Sequence, residues 1–584
     1  MIKEKVLERI KEAAAKVGIT DDTVSVEHPV DMNHGDFSTN IALRHAKLLK
    51  QNPITLAEKI VENIQPDKYI AKAEVAKPGF INVWINAEYL FEELSRVHTL
   101  GDRYGSSSWG KGKKWLIEHT SPNPNKAMHL GHLRNNVTGM SIANIWEFNG
   151  IEVIRDCIDN NRGIAIAKLM WGYLKFAHKE GKEMTDLHYW FTHQDEWHTP
   201  DIQSIRADMF VDQLYVKASD DFKDKKIEEQ VRQLVVDWEA GNPENRALWQ
   251  KVLQFSYEGQ ALTFKRLGNK WDKVWHEHEH YQEGKDLVQE GLEKKVFKKL
   301  KDGAVLTNLE NYNLPDTIVL KKDGTSLYIT QDLALTKLKI ETFHPDKLFW
   351  VLGPDHTLAF KQLFAVCEQL GIAKLENLVH IPFGYMSIKG KGKMSSRAGN
   401  VVYIEDLLDQ AKEKILTMFE ERKFTGEDKD STAEKMAVAA VKYSILKVGR
   451  TTDTAFDFET SLSLDGDSGP YLQYTYVRAQ SVLREQQIDL SKISYKPEVE
   501  EIILLRMIAN FQEVVLQAAK EYAPNIISTY LFHLAQQYNL VYQKYPILKA
   551  DSEIKNFRLL LTKSVAQIIK NGLALLGIET VEKI

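Results

Sequence analysis

Apolar and polar positions along the chain fall into three successive patterns. Over residues 1–105, Ile2, Val6, Ile10 and Val17 recur near helical spacing and predict an amphipathic helix that Gly18 can end. Short runs such as INVWI (81–85) predict strands there. Over 106–430, short apolar runs alternate with helical patterns. WLIEHT (115–120), EVIRDCI (152–158) and KLFWVLG (347–353) predict strands, and 131–149 and 330–341 predict helices. Such alternation implies a parallel, doubly wound sheet. Residues from about 175 to 265 are polar, aromatic and helical, and read as an insertion. The stretch GSSSWGKGKK (105–114) reads as a linker before a strand. From 431 onward the pattern is helical only, beginning with AEKMAVAAVKYSILK. No internal repeat or low-complexity tract interrupts it.

Composition narrows the picture. The 584 residues suit three or four domains. With 43% hydrophobic and 27% charged residues, cores form without metals or disulfides. The two cysteines, Cys157 and Cys367, have no CxxC spacing, which leaves no zinc knuckle or disulfide framework to read and makes a reducing cytoplasm the simplest setting. The N-terminus mixes acids with bases and lacks the apolar run of a signal peptide. No apolar stretch is expected to reach the ~20 residues of a membrane span, so no membrane partner is expected. The net charge of −5 argues against a general nucleic-acid binder but not against a shaped RNA held on a local basic track. Residues 431–584 hold 17 Lys+Arg and 17 Asp+Glu and are neutral.

Two motifs carry chemistry. In WLIEHTSPNPNKAMHLGHLRNN a strand, a polar turn and a helix follow in order. Ligands in open α/β sheets bind outside the carboxyl ends of strands. HLGH (His129 to His132) falls at the helix N-terminus, where free N–H groups and the helix dipole favour phosphate. His129 and His132 can add donors, and Gly131 lets a flat base approach the backbone. On its own, this motif is matched evenly by two ordinary histidines at a helix start. The second, GYMSIKGKGKMSSRAGN (384–400), can wrap a polyphosphate with N–H groups and the charges of Lys391, Lys393 and Arg397. Alone it also reads as a solvated surface loop.

Taken together, the two motifs resemble those of class I aminoacyl-tRNA synthetases, HIGH and KMSKS, standing here as HLGH and KMSSR. The resemblance implies attack of an amino-acid carboxylate on the α-phosphate of ATP, loss of pyrophosphate, and transfer of the aminoacyl group to a tRNA ribose. ATP is then a substrate, accompanied by Mg2+. Catalysis would be positioning plus electrostatic stabilisation. The implied catalytic residues are Lys126, His129, His132 and Lys393, and the implied ATP contacts are Ser121, His129, Gly131, His132, Lys391, Lys393, Met394 and Ser395.

Longer stretches resemble the arginyl-tRNA synthetase family. These are SPN-x-x-K before HLGH, GDFSTNIAL (35–43), PGFINVWI (78–85), DGTSLYITQDLAL (323–335) and DGDSGPYLQYTYVRAQSVLR (465–484). The implied fold class is α/β: a Rossmann-like doubly wound parallel-sheet catalytic domain (106–430), an α+β N-terminal domain that grips the tRNA elbow (1–105) and an all-α C-terminal helical bundle that binds the anticodon (431–584). The implied arginine contacts are Glu118 at the α-amino group, Ser121, Asn123, Tyr328 and Asp332. A guanidinium is planar, forked and permanently charged, so Asp332 can pair with it and Tyr328 can add a hydroxyl and a ring face. Four residues apart, these two share a face of a helix. The implied tRNA contacts are Phe80 and Asn82 on an exposed base, and Tyr471, Tyr474, Arg478 and Tyr538 at the anticodon. For the tyrosines, core packing is an equally good expectation. The expected partners are tRNA(Arg), arginine and ATP, and the family is mostly monomeric.

This sequence departs from the family in places. Ser396 replaces the second lysine of KMSKS, and Lys126 stands where a compensating lysine is expected. DNNRGIAIAK (159–168) differs from the common GDWGTQFG form, so Asn160, Asn161 and Arg162 line the site without assigned roles. GPDHTLAF (353–360) leaves Asp355 and His356 as candidate ligands, and the chain ends in Ile584 where methionine is usual. In WHEHEHY (275–281), His276, His278 and His280 would share a face if the segment were a strand, but Glu277 and Tyr281 fit the family's E-S-x-Y element and no metal site is expected. A small-molecule nucleotidyltransferase also uses HxGH, but needs neither terminal domain. A catalytically inactive synthetase-like RNA-binding protein is the remaining alternative, against which stand Lys126, His129, Gly131, His132 and Lys393.

Overall fold

A computed structural model of the chain describes residues 1–20, 24–29, 34–322, 327–390, 401–424, 426, 428–489 and 495–584, with the backbone alone at Ile202, Gln203, Lys285 and Tyr328. The first helix, Ile2–Ala15, buries Ile2, Val6 and Ile10 as their spacing requires, and Gly18 follows it at φ +90°. Beside it stands an antiparallel sheet in the order Phe37–Thr39, Phe80–Ile85, Ile70–Ala76. Its central strand buries Ile81, Val83 and Ile85 on alternate positions.

The centre of the molecule is a five-stranded sheet whose neighbours are all parallel. The order across it is Leu378–Pro382, Lys347–Leu352, Lys114–Glu118, Glu152–Asp159, Lys273–His276. Strands buried on both faces read as continuous apolar runs, as Leu348, Phe349, Trp350 and Val351 do. The chain's first strand of this sheet lies in the middle, and successive strands are added first on one side and then on the other. The place where that direction reverses, between Lys114–Glu118 and Lys347–Leu352, is the switch point at which such sheets bind ligands.

Between the Glu152–Asp159 and Lys273–His276 strands, helices fill residues 187–267, the stretch where an insertion was expected. Their longest member, Pro243–Leu267, begins where Asn242 accepts from Asn245 N–H with Pro243 in the first turn, and ends at Gly268 in the left-handed conformation. One face of it buttresses the turn after the first parallel strand: Ser256 donates to Pro124 O, and Gln260 lies 3.4 Å from Lys126 O.

The C-terminal part is built on Lys429–Leu446, Gly469–Leu483, Val499–Glu521, Pro524–Lys544 and Ser552–Leu575. Ser468 caps the second of these by accepting from Tyr471 N–H, and a Cβ on Gly469 would lie 2.5 Å from Ala439 O, so the two helices touch backbone to backbone there. Lys442 binds the bundle to the insertion, donating to Leu267 O at 2.8 Å and to Gly577 O.

Two expectations need correction. Residues beyond 431 are not helical throughout, because Thr454–Phe456 pairs in parallel with Met386–Ile388. Three residues are too few to show a period of two. One helix, Val499–Glu521, is long and apolar enough to cross a membrane by length and composition; half of its apolar window is buried, and its Arg506 pairs with Asp36 of the N-terminal region at 2.7 Å. A small antiparallel sheet of Lys298–Lys299, Val305–Leu306 and Ile318–Leu320 has no counterpart in the sequence reading.

Candidate active site

The helix Leu130–Phe148 starts at the carboxyl edge of the central sheet with His129 as its N-cap residue. His129 Nδ1 accepts from Gly131 N–H at 3.1 Å, and His132 Nδ1 accepts from His129 N–H at 3.1 Å. A backbone N–H can only donate, so both Nδ1 atoms are unprotonated and each neutral ring carries its hydrogen on Nε2. Burial, reinforced by Lys126, holds His129 down at about 4; burial, His129 and Lys126 also push His132 well below the usual range. The site therefore presents two neutral imidazole donors at a helix N-terminus. At Gly131 a Cβ would sit 3.0 Å from His129 Cε1, against the ring that folds back over it. Among the described residues no carboxylate lies within ion-pair distance of Lys126, although its charge reaches Asp212.

The second motif is tied to the first. Leu130 N–H donates to Val402 O at 3.2 Å, and Ile404 N–H donates to Met128 O at 3.0 Å. The segment that follows the Lys/Ser-rich stretch thus adds a short antiparallel bridge at HLGH. Lys391, Lys393, Met394, Ser395, Ser396 and Arg397 lie outside the described residues.

An acid cluster occupies the same edge of the sheet. Glu118 ends the first parallel strand, Asp159 the second, and Glu277 follows the third. Asp332 reaches them from Tyr328–Phe343, a helix that includes both positions expected to share a face; only the backbone of Tyr328 is described. The fully buried Lys339 donates to Glu118 Oε2 at 2.5 Å and sits 2.8 Å from Asp156 Oδ2, which also accepts from Trp275 Nε1. Burial alone would lower Lys339; Asp156 and Glu118 outweigh it and keep it charged. Asp332 is raised to about 7 by burial and by Glu118, with Lys339 opposing and Glu277 adding to the rise. Glu277 also rises to about 7, through burial that Arg162 and Gln331 offset in part. Burial is the main cause of both shifts, and the cations nearby, Lys339 and Arg162, offset it only in part.

The remaining expected contacts are placed as follows. Asn123 Oδ1 accepts from Asn160 Nδ2 at 3.1 Å beside the cluster. Ser121 Oγ accepts from Ile158 N–H at 3.1 Å, which fixes the turn, and the hydroxyl also lies against the Cys157 thiol. Between them and the strand, Thr120 holds φ +59°, a conformation β-branched residues avoid, fixed by Asn135 Oδ1 accepting from its N–H. Asp355 and His356 lie exposed in a short turn, with Asp355 accepting from Tyr385. The three histidines do not share a face: His276 ends a strand and pairs with Asp159 at 2.7 Å, while His278 and His280 lie in the helical turn Glu277–His280.

Lys339, Asp156 and Gln331 were not singled out from sequence. Asp332, Thr336 and Lys339 follow at helical spacing, so a lysine on the same stripe as Asp332 was a readable signal.

Away from this edge, Phe80 is 37% exposed and Asn82 is buried, its Oδ1 accepting from Ser38; both line a concavity of about 540 Å³. Tyr471, Tyr474 and Arg478 are half-buried on one helix, where Arg478 donates to Asn539 at 2.6 Å and lies over the Tyr474 ring. Tyr538 is 1% exposed and packs in the core, so it cannot stack on RNA in this conformation, and the bland reading wins for it. Tyr474 also borders a cavity of about 550 Å³ with Arg422, Lys423, Arg484, Lys583 and Ile584, and none of those four cations is paired to a described carboxylate.

Comparison with known proteins agrees with this layout. Residues 1–85 match the arginyl tRNA synthetase N-terminal domain, 95–458 the class I (R) tRNA synthetase catalytic domain, and 472–584 the DALR anticodon-binding domain. The chain is 33% identical over 575 residues to an arginine–tRNA ligase of Bacteroides fragilis, covering 93% of each, and 32% identical over 599 residues to one of Borrelia turicatae, covering 100% of this chain and 98% of the relative. Its fold matches the arginyl-tRNA synthetases of Thermus thermophilus (TM-score 0.80, 22% identity, 100% of both chains) and Plasmodium falciparum (0.81, 20%, 100% and 99%). With motifs, sheet order, matched domains and full-length relatives in agreement, the chain belongs to the class I arginyl-tRNA synthetases.

Proposed function

We propose the following division of labour for the arginine–tRNA ligation that family membership assigns to this chain. Arginine carries two cations, and the acid cluster offers a place for each. Glu118, half-neutralised by Lys339, takes the α-ammonium, while Asp332 and Glu277 take the guanidinium in forked hydrogen bonds. The excess of carboxylates over cations in this cluster is the observation that carries the reading. Lysine also carries two cations, but its compact ammonium cannot bridge two carboxylates in one plane.

ATP enters as its magnesium complex, with its phosphates at the start of Leu130–Phe148. The arginine carboxylate attacks the α-phosphorus, the bond to the bridging oxygen breaks, and pyrophosphate leaves. His129 and His132 donate from Nε2 to the phosphates, and Lys126 and Lys393 face the leaving group. Asn123 and Ser121 hold the amino acid, and Gly131, Lys391, Met394 and Ser395 complete the nucleotide contacts. A terminal ribose hydroxyl of the tRNA then attacks the arginyl carbonyl and AMP departs. No covalent enzyme intermediate is required, so rate enhancement comes from alignment and from donors fixed before reaction.

The division into 1–105, 106–430 and 431–584 assigns the tRNA elbow to the first part, through Phe80 and Asn82, and the anticodon to the last. There the half-buried Tyr471, Tyr474 and Arg478 stand beside Arg422, Lys423, Arg484 and Lys583, which pair with no carboxylate among the described residues. The enzyme acts as a cytoplasmic monomer, and its ATP–pyrophosphate exchange depends on tRNA. Aminoacylation of total tRNA with each of the twenty amino acids tests the assignment. Charging with arginine is expected; charging with another amino acid overturns it, and robust exchange with arginine alone overturns the tRNA dependence.

A further inference from the structure

Next to the acid cluster the protein places a guanidinium of its own. Arg162 follows the Glu152–Asp159 strand, in the segment where this chain departs from the common family form. Its guanidinium lies 3.9 Å from the centre of the Tyr281 ring, its Nη1 is 3.5 Å from Glu277 Oε1, and its Nη2 donates to Glu239 Oε1. Arg162 is 10% exposed and Glu277 9%, while Glu239, at the end of Lys225–Glu239, is 42% exposed. A buried cation is therefore shared between a buried carboxylate and an exposed one, and its tighter contact is with the exposed one. The contact to Glu277 is beyond ordinary hydrogen-bond length. Among the described residues, Glu277 has one firm donor, Gln331 Nε2 at 2.8 Å, from the residue beside Asp332. The other charged or titratable groups near it are Asp159, already held by His276 and Tyr257, Asp332 from the facing helix, and His276 and His278 on its own segment.

We propose that Arg162 is a positioning residue for the substrate: before arginine binds it steadies the Glu277 carboxylate, and when arginine binds, the substrate guanidinium takes that carboxylate while Arg162 gives up Glu277 and keeps its contact with Glu239. The inference rests on the arginine reading given above. Both guanidiniums are forked and permanently charged, so the exchange leaves Glu277 accompanied by a cation throughout. The Tyr281 face holds Arg162 over the short shift, since a cation is attracted to the ring without needing one fixed hydrogen-bond direction. With Arg162 gone, the charge that offsets burial at Glu277 is lost, so its carboxyl moves further toward the protonated form that arginine must displace.

The test is KM for arginine and kcat in aminoacylation between pH 6.5 and 8, each variant compared with wild type at the same pH so that the substrate's own titration cancels. Arg162→Ala is expected to raise KM about tenfold at the acid end with kcat changed by less than about threefold, and the excess should shrink as pH rises. Arg162→Lys should recover most of the loss. Glu239→Gln should raise KM by several-fold without relief at higher pH, because Arg162 then stays on Glu277 and competes with the substrate. Unchanged KM in Arg162→Ala, parallel loss of kcat at every pH, or no recovery with lysine would overturn the proposal. If Arg162→Ala fails to fold, Glu239→Gln decides alone, and an unchanged KM there overturns it. A wild-type chain that does not charge tRNA with arginine would instead overturn the functional reading beneath it.

Discussion

Lys339 Nζ lies 2.5 Å from Glu118 Oε2, joining the middle of one helix to the carboxyl end of the first parallel strand, and the lysine is wholly out of solvent. The same ammonium is 2.8 Å from Asp156. Replacing it by an apolar side chain leaves two buried carboxylates without their cation, which costs about 3–5 kcal/mol. Lys339→Met should melt well below wild type at neutral pH. Its folded pKa is raised, so the stabilisation is complete below the unfolded lysine value and falls away only as strongly alkaline pH is reached. A variant that melts with wild type would remove Lys339 from the framework of the site.

The Asp332 carboxyl stands at about 7 in the fold and in the ordinary carboxylate range when unfolded. Below that value the folded protein therefore holds a proton that the unfolded chain has released, and this contribution to stability is lost as pH rises toward 7. Arginine binds the ionised form, so its affinity should rise with pH by up to about tenfold per unit until that proton is gone. Asp332→Asn should flatten the Asp332 part of the slope and weaken arginine binding by about 3–5 kcal/mol. Wild-type arginine affinity in the Asn variant, measured by calorimetry, would end its role as guanidinium partner.

His132→Ala should slow the chemical step more than it weakens binding, because its donor matters most as charge moves on the phosphates. Loss of one such donor costs about 2.7–4 kcal/mol. Both rings of the motif hold pKa values below the usual histidine range, so they stay neutral and should impose no pH dependence on adenylate formation between about 6 and 8. A single-turnover rate equal to wild type would take His132 out of the mechanism.

Lys126 should carry the charge that Ser396 cannot. Lys126→Ala is expected to slow adenylate formation severely and leave tRNA binding intact, since its ammonium is committed to no described carboxylate. Adding Ser396→Lys to that variant should restore part of the rate by returning a cation from the loop side. A near-normal rate in the single variant would end the compensation, and absence of rescue would leave the exchange of roles unsupported.

Phe80 and Tyr538 separate an RNA-facing aromatic from a buried one. Phe80→Ala should weaken tRNA by about 1–3 kcal/mol, the usual worth of one stacked base, with arginine KM unchanged. Tyr538→Phe should leave tRNA affinity as it was, because the ring is sealed inside the bundle. The opposite pattern in a filter-binding assay would reverse both assignments.

The sequence by itself determined the elements and the motifs. Apolar runs of strand length alternating with helical stripes fix a parallel sheet because each pattern can bury its face only in one way. Thus WLIEHT and KLFWVLG became neighbouring strands. HLGH lay at a helix start because the polar turn before it could go nowhere else. Three-residue strands such as Thr454–Phe456 were not legible, since so short a run shows no period. Burial was not legible either: Tyr471 and Tyr538 look alike along the chain, and only packing shows one half-buried and the other sealed. What the tertiary structure alone decided is which charges meet. Glu118, Arg162, Glu277, Asp332 and Lys339 come from strand ends, turns and a helix far apart in sequence, and no local pattern records their distances. The raised values of Asp332 and Glu277 arise first from burial and then from neighbouring carboxylates, and that of Lys339 from the carboxylates it meets, across distances that exist only once the sheet has closed.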